Sequence, residues 1–110
     1  MEKLVKGDVV VVPFPFSDIT TVKKRPALVA TNLAGEDLIL CQITSMSRLD
    51  NYSIGLSNEH FKSGSLDYTS IIRPNKLFTA DRAIISYKIG SIKENKVKEV
   101  EETIVKIFTE

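Results

Sequence analysis

Up to about Gly90 the apolar positions of this chain come in short, β-branched runs separated by turn residues; beyond it they recur at helical spacing. The runs at Asp8–Phe14, 27–31 and 38–44 predict three strands. The last two are joined by Asn32-Leu33-Ala34-Gly35-Glu36-Asp37, which has the Asn, Gly and Asp content of a hairpin loop. Pro13 and Pro15 remove backbone donors and so end regular pairing of the first strand. Residues 52–56 predict a further short strand, and 57–67, with Ser63-Gly64-Ser65, a loop. Residues 69–73 predict a strand stopped by Pro74; 76–79 and 83–89 predict two more, with Gly90 closing the sheet region. Several short strands at this spacing imply an all-β barrel. After them, Ser91 and Glu94 have the spacing of a capping box at a helix start. Val97, Val100, Ile104, Ile107 and Phe108 fall on one face of that helix, with Lys and Glu opposite. The expected architecture is mainly β: a small barrel with a C-terminal helix that packs on the barrel or at a dimer contact.

Size and composition narrow the possibilities. With 110 residues, 43% hydrophobic and 26% charged, the chain is expected to be one globular domain spanning 1–110. Its longest apolar run, residues 9–16, is far short of the roughly 20 residues a bilayer span needs. The start Met-Glu-Lys has no signal-peptide core, so a cytoplasmic protein with no membrane association is expected. Cys41 is the only cysteine, which excludes an intramolecular disulfide, and its neighbours Leu38, Ile39, Leu40 and Ile43 mark it as a packing thiol. One His and one Cys cannot supply the usual zinc ligand set, and no metal or cofactor is expected.

Net charge is only +1, so nothing global advertises nucleic-acid binding. The distribution is uneven, with basic points at Lys23, Lys24, Arg25, Arg48, Arg73, Lys76 and Arg82. Core packing does not require the three consecutive cations Lys23-Lys24-Arg25 at the start of an apolar strand. A Gly7-Asp8 strand, a loop, and Arg25-Pro26-Ala27-Leu28-Val29 come first. Cys41-Gln42-Ile43-Thr44-Ser45 and Ile71-Ile72-Arg73-Pro74-Asn75 follow in order. Together these segments resemble the PemK/MazF family of toxins from bacterial toxin–antitoxin pairs. The resemblance implies an SH3-like barrel with a terminal helix, working as a homodimer. It implies a metal-independent endoribonuclease that cuts single-stranded RNA. In that reaction the 2′-hydroxyl attacks the adjacent phosphate, leaving a 2′,3′-cyclic phosphate and a 5′-hydroxyl. It also implies a cognate antitoxin whose flexible tail lies across the groove between subunits.

By the same resemblance, Arg25 faces the scissile phosphate. A guanidinium is always charged and offers a fork of donors to phosphate oxygens as negative charge grows on them. Thr44, with Ser45 beside it, stands where the family places a hydroxyl across from that Arg; a hydroxyl can donate to phosphate while accepting from a neighbour. The bland alternative is a strand end opening a turn. Arg73 and Asn75 stand where some members carry an Arg-x-Asp acid–base pair. An amide cannot take a proton at neutral pH, so Arg73 is left to hold a phosphate and Asn75 to position RNA or water.

With His60 the only histidine, a two-histidine mechanism is excluded by count. Asp18, in the loop 17–21, is the candidate base, although an Asp capping a turn reads the same way. Phe16 is a candidate stacking face for a base, against the commoner fate of core packing. Lys23, Lys24, Lys76 and Arg48 are candidate phosphate contacts. The competing reading is a non-catalytic module on the same barrel, an inactive RNA binder or a gyrase-poison-like toxin, since fold alone does not decide function.

Overall fold

The computed structural model describes residues 3–14 and 23–110. Its strands are β1 (Asp8–Phe14), β2 (Lys23–Asn32), β3 (Asp37–Ser45), β4 (Ile54–Leu56), β5 (Phe61–Gly64), β6 (Ser70–Asp81) and β7 (Tyr87–Ile92), followed by helix α1 (Glu94–Thr109). They form one sheet in the order β4-β6-β3-β2-β1-β7-β5, every neighbouring pair antiparallel. The sheet curls into a half-barrel with the helix at its end, which is the mainly β, barrel-and-helix architecture expected.

Side-chain alternation sorts the strands into two apolar layers. Ala27 and Val29 of β2 join Leu38 and Leu40 of β3 and Val10 and Val12 of β1 in the first. Leu28, Cys41, Ile43, Val9 and Ile72 point the other way, into the second. This second layer is the one α1 covers: Val100 is buried there, with Val97 and Ile104 packed against it. The far end of the helix's apolar face is bare, for Phe108 is 73% exposed. No helix among the described residues is long and apolar enough to cross a membrane.

Burial of Cys41 pushes its thiol from 9.0 up to about 12. The native protein is therefore expected to resist iodoacetamide at pH 8 and to be labelled once unfolded, since the thiolate is the reacting form. Rapid labelling of the folded protein, read by mass spectrometry, would contradict this placement. A thiol raised in the folded state holds its proton where the unfolded one has lost it. Stability should accordingly fall as pH climbs from 9.0 towards about 12.

Several local expectations give way to tertiary context. Lys23, Lys24 and Arg25 do not stand ahead of the strand expected at 27–31 but pair within β2, opposite Phe14, Pro13 and Val12. Pro74 does not stop a strand. β6 runs through it, because Gln42 pairs with Arg73 while the adjacent Cys41 pairs with Leu77. Pro74, Asn75 and Lys76 thus form a bulge, where a missing N–H breaks no ladder bond. The segment read as a loop, 57–67, contains β5 and a 3-10 turn at Asn58–His60, and the capping box lies there, between Ser57 and His60.

The last strand is shifted from the expected 83–89 to Tyr87–Ile92, with Gly90 inside it rather than ending it. A Cβ on Gly90 would lie 2.2 Å from the Ser63 carbonyl oxygen, so glycine is what lets β5 and β7 pair. Nor does Ser91 cap the helix. It is buried in β7 and its Oγ donates to Asp8 Oδ1 at 2.7 Å. The other oxygen of this buried carboxylate accepts from Val5 N at 2.9 Å, and Lys88 Nζ lies 3.4 Å from Oδ1. The helix is instead entered at Lys93, whose carbonyl accepts from the N–H groups of Lys96 and Val97.

Candidate active site

Three strands bring the polar ends of the sheet together. In β2 and β3 Ala27 stands opposite Gln42, and Gln42 in turn stands opposite Arg73 of β6. Continuing the β2–β3 register by two residues sets Arg25 against Thr44, whose neighbour on β6 is Ile71. Alternation gives Arg25, Thr44, Gln42 and Arg73 one face, the polar end of the first apolar layer. Arg25 and Thr44 are both half-buried, which limits the directions a guanidinium and a hydroxyl can take.

Beside this row lies a cleft of about 490 Å³. Lys24, Pro26, Ile43, Ser45 and Ser70 line it from the other face, with Arg25 and Thr44 at its border and Tyr68 and Tyr87 among its walls. Lys24 and Ser45 are exposed, and Ser45 Oγ lies 2.7 Å from Ser47 Oγ. Lys23 is exposed at the start of β2, one strand position beyond.

Arg73 is in the row but not in the cleft lining, and two of its three nitrogens are engaged. Nη1 donates to Gln42 Oε1 and Nη2 to Asp50 Oδ2, each at 3.3 Å. Asn75 Nδ2 donates to the same Asp50 oxygen at 3.2 Å. The third guanidinium nitrogen, Nε, is buried with no partner. Lys76 is exposed in the bulge and also stands outside the cleft lining.

The sequence reading did not single out Asp50 or Gln42, which hold Arg73. Asp50 lies in a Leu-Asp-Asn-Tyr turn, and only the folded loop carries its carboxylate to β6. That carboxylate is held below its ordinary 3.8, chiefly by the Tyr52 N–H; desolvation, the next largest effect, pushes it up, and the side chains of Asn75, Ser53 and Arg73 each lower it further. It is ionised at neutral pH and correspondingly weak as a proton acceptor there. Its bonds persist above pH 3.8 and are lost as pH falls through the lowered value.

His60 is occupied elsewhere, its Nδ1 accepting from Ser57 N at 3.0 Å. Among the described residues no three His, Cys, Asp or Glu side chains gather as metal ligands would. Asp18 and Phe16 lie outside the described residues. Tyr68 and Tyr87 were also missed from sequence. A tyrosine among Ser, Asp and Thr, outside any apolar run, is the available signal for Tyr68, and for Tyr87 there is none.

The model of one family, the PemK-like, MazF-like toxins of type II toxin–antitoxin systems, matches residues 5–108. A MazF crystal structure from Deinococcus radiodurans superposes with a TM-score of 0.75 at 16% identity, over 100% of both chains. An endoribonuclease solved with its cognate antitoxin, from a mycobacterial species, gives 0.73 at 11% identity over 96% of this chain and 95% of that one. The Mycobacterium tuberculosis toxin MazF-mt6 gives 0.71 at 16%, over 92% and 95%. At such identities these likenesses establish the shared fold. A search of curated protein sequences finds no match.

Proposed function

The chain belongs to the PemK-like, MazF-like toxins of type II toxin–antitoxin systems, and from that premise we propose that it is an endoribonuclease cutting single-stranded RNA by attack of a ribose 2′-hydroxyl on the adjacent phosphate. What supports this is the strand register, which continued by two residues from Ala27 and Gln42 sets Arg25 opposite Thr44, together with the open cleft whose lining includes both. As the attacking oxygen closes on phosphorus, negative charge grows on the non-bridging oxygens. A guanidinium fixed against the sheet meets that charge without reorganising. The Thr44 hydroxyl holds the phosphate in line with the 2′-oxygen; as the O2′–P bond forms the P–O5′ bond breaks, and the departing oxygen takes a proton from water, giving a 2′,3′-cyclic phosphate and a 5′-hydroxyl. None of these steps calls for a metal.

Lys23, Lys24 and Ser45 extend the phosphate-binding border along the two strands. Arg73, its charge shared with Asp50, adds a second guanidinium further along the row, with Asn75 and Lys76 beside it as RNA contacts. Asp18 is the proposed proton acceptor and Phe16 a base contact, both from the segment between β1 and β2. The chain acts as one toxin domain, a cytoplasmic homodimer neutralised by a cognate antitoxin. Support for the antitoxin comes from the family and from the fold shared with a mycobacterial endoribonuclease solved with its own.

Purified protein incubated with varied single-stranded RNAs in excess EDTA tests this. Cleavage is expected, with duplex RNA spared because A-form geometry constrains in-line attack. Thr44→Ala should slow it by about 10–150-fold, the worth of one hydrogen bond to a charged group. Tight binding with no cleavage of any RNA would replace the enzyme by a non-catalytic binder.

A further inference from the structure

Two walls of the cleft are aromatic, and the chemistry above uses neither. Tyr68 is 81% exposed and Tyr87 57% exposed, yet both border the cavity that Lys24 and Arg25 border. A single exposed tyrosine needs no explanation. Two around one cleft, next to two cations, form a composition with a specific use. Each ring offers a flat apolar face and the cations offer phosphate contacts, the two components of a groove for single-stranded nucleic acid.

The rings are presented by ordered backbone. Tyr87 opens β7 and pairs with Val11 of β1. Tyr68 lies in the β5–β6 connection, which is pinned at both sides: Leu66 N donates to Asn58 Oδ1 at 2.8 Å and Ser70 Oγ to the Tyr68 carbonyl at 3.0 Å. Two cationic side chains stand against one carboxylate, Asp67, in the lining, so the cleft favours a polyanion.

We propose that Tyr68 and Tyr87 form a stacking subsite for nucleobases of the single-stranded RNA whose phosphate Arg25 holds, an inference that rests on the RNA reading above. Stacking tolerates any base, because every base has a π-face. Thr69 and Ser70 in the same lining supply the hydrogen bonds that choose among bases. Duplex RNA is refused, its bases being already stacked and paired.

The test is binding of a fluorescein-labelled single-stranded RNA carrying 2′-fluoro groups throughout, which removes the attacking hydroxyl, read by anisotropy. Tyr68→Ala and Tyr87→Ala should each weaken binding by about 5–150-fold, and Tyr68→Phe should bind as the wild type does. An oligonucleotide of abasic riboses should bind wild type and Tyr68→Ala equally weakly. Alanine variants that bind as tightly as wild type would overturn the inference. So would a loss in Tyr68→Phe equal to that in Tyr68→Ala, because the hydroxyl and not the ring would then be responsible. RNA affinity unchanged, with a loss confined to antitoxin binding, overturns it in favour of a protein-docking cleft. Tyrosine-dependent binding without cleavage of natural RNA sinks the nuclease alone, whereas cleavage with tyrosine-independent binding sinks the stacking subsite alone.

Discussion

Arg25→Ala is expected to lower RNA cleavage by about 10²–10³-fold, the range measured when one preorganised donor is taken from a developing oxyanion. The effect should appear in the single-turnover rate as well as in apparent affinity. The phosphate is charged before reaction and more so in the transition state, so the guanidinium contributes to both and more to the second. Arg25→Lys separates charge from geometry: an ammonium restores attraction but not the planar fork, and only partial recovery is expected. The fold should survive, since Arg25 is half-buried at the polar end of β2 and appears in neither apolar layer. A melting temperature matching the wild type checks that. Cleavage undiminished in Arg25→Ala would place the chemistry elsewhere, and Arg73 would be the next guanidinium to remove.

A large stability effect is expected from Gly90. An added methyl would sit 2.2 Å from the Ser63 carbonyl oxygen and 2.8 Å from the Gly64 Cα. Both obstacles are backbone, so no side-chain rotation relieves the clash and the strands must part. Overpacking in a rigid setting costs about 1–3 kcal/mol and sometimes more, and Gly90→Val should exceed Gly90→Ala. Gly55, which has nothing within 4 Å of an added Cβ, is the control and should change stability little. Urea midpoints decide between them. Because β5 leads into the segment that carries Tyr68, Gly90→Ala should also weaken RNA binding beyond its effect on global stability. A Gly90→Ala midpoint equal to that of the wild type would contradict the close approach of β5 and β7.

What the amino-acid pattern revealed, and what it hid, follow from the range of the interactions concerned. β1, β2 and β3 were legible because short β-branched, apolar runs bounded by turn residues are local signals. The terminal helix was legible from its apolar spacing, although its start was not. Ser91 has the right neighbours for a cap, but a buried carboxylate contributed by β1 competes for its hydroxyl and wins. Pro74 misled for a similar reason, since whether a missing N–H matters depends on the partner strand's register.

At the site, Arg25 and Thr44 were legible through the motifs around them, while their opposition required the register. Asp50 and Gln42 were not legible at all. Twenty-three residues separate Asp50 from the arginine it binds, and a turn aspartate carries no mark of a distant partner. Tyr87 was hidden because a tyrosine at a strand start is as often core as surface.

The most direct measurement removes a single oxygen. Once a cleavage position has been mapped in one RNA, the same RNA is made with a 2′-deoxyribose only at the nucleotide 5′ to the cut. Cleavage at that bond should cease, while other sites in the strand are still cut and yield 5′-hydroxyl and cyclic-phosphate ends. Continued cutting at the deoxy position, or products ending in a 5′-phosphate, would contradict attack by the ribose hydroxyl on a phosphate held by Arg25 and Thr44.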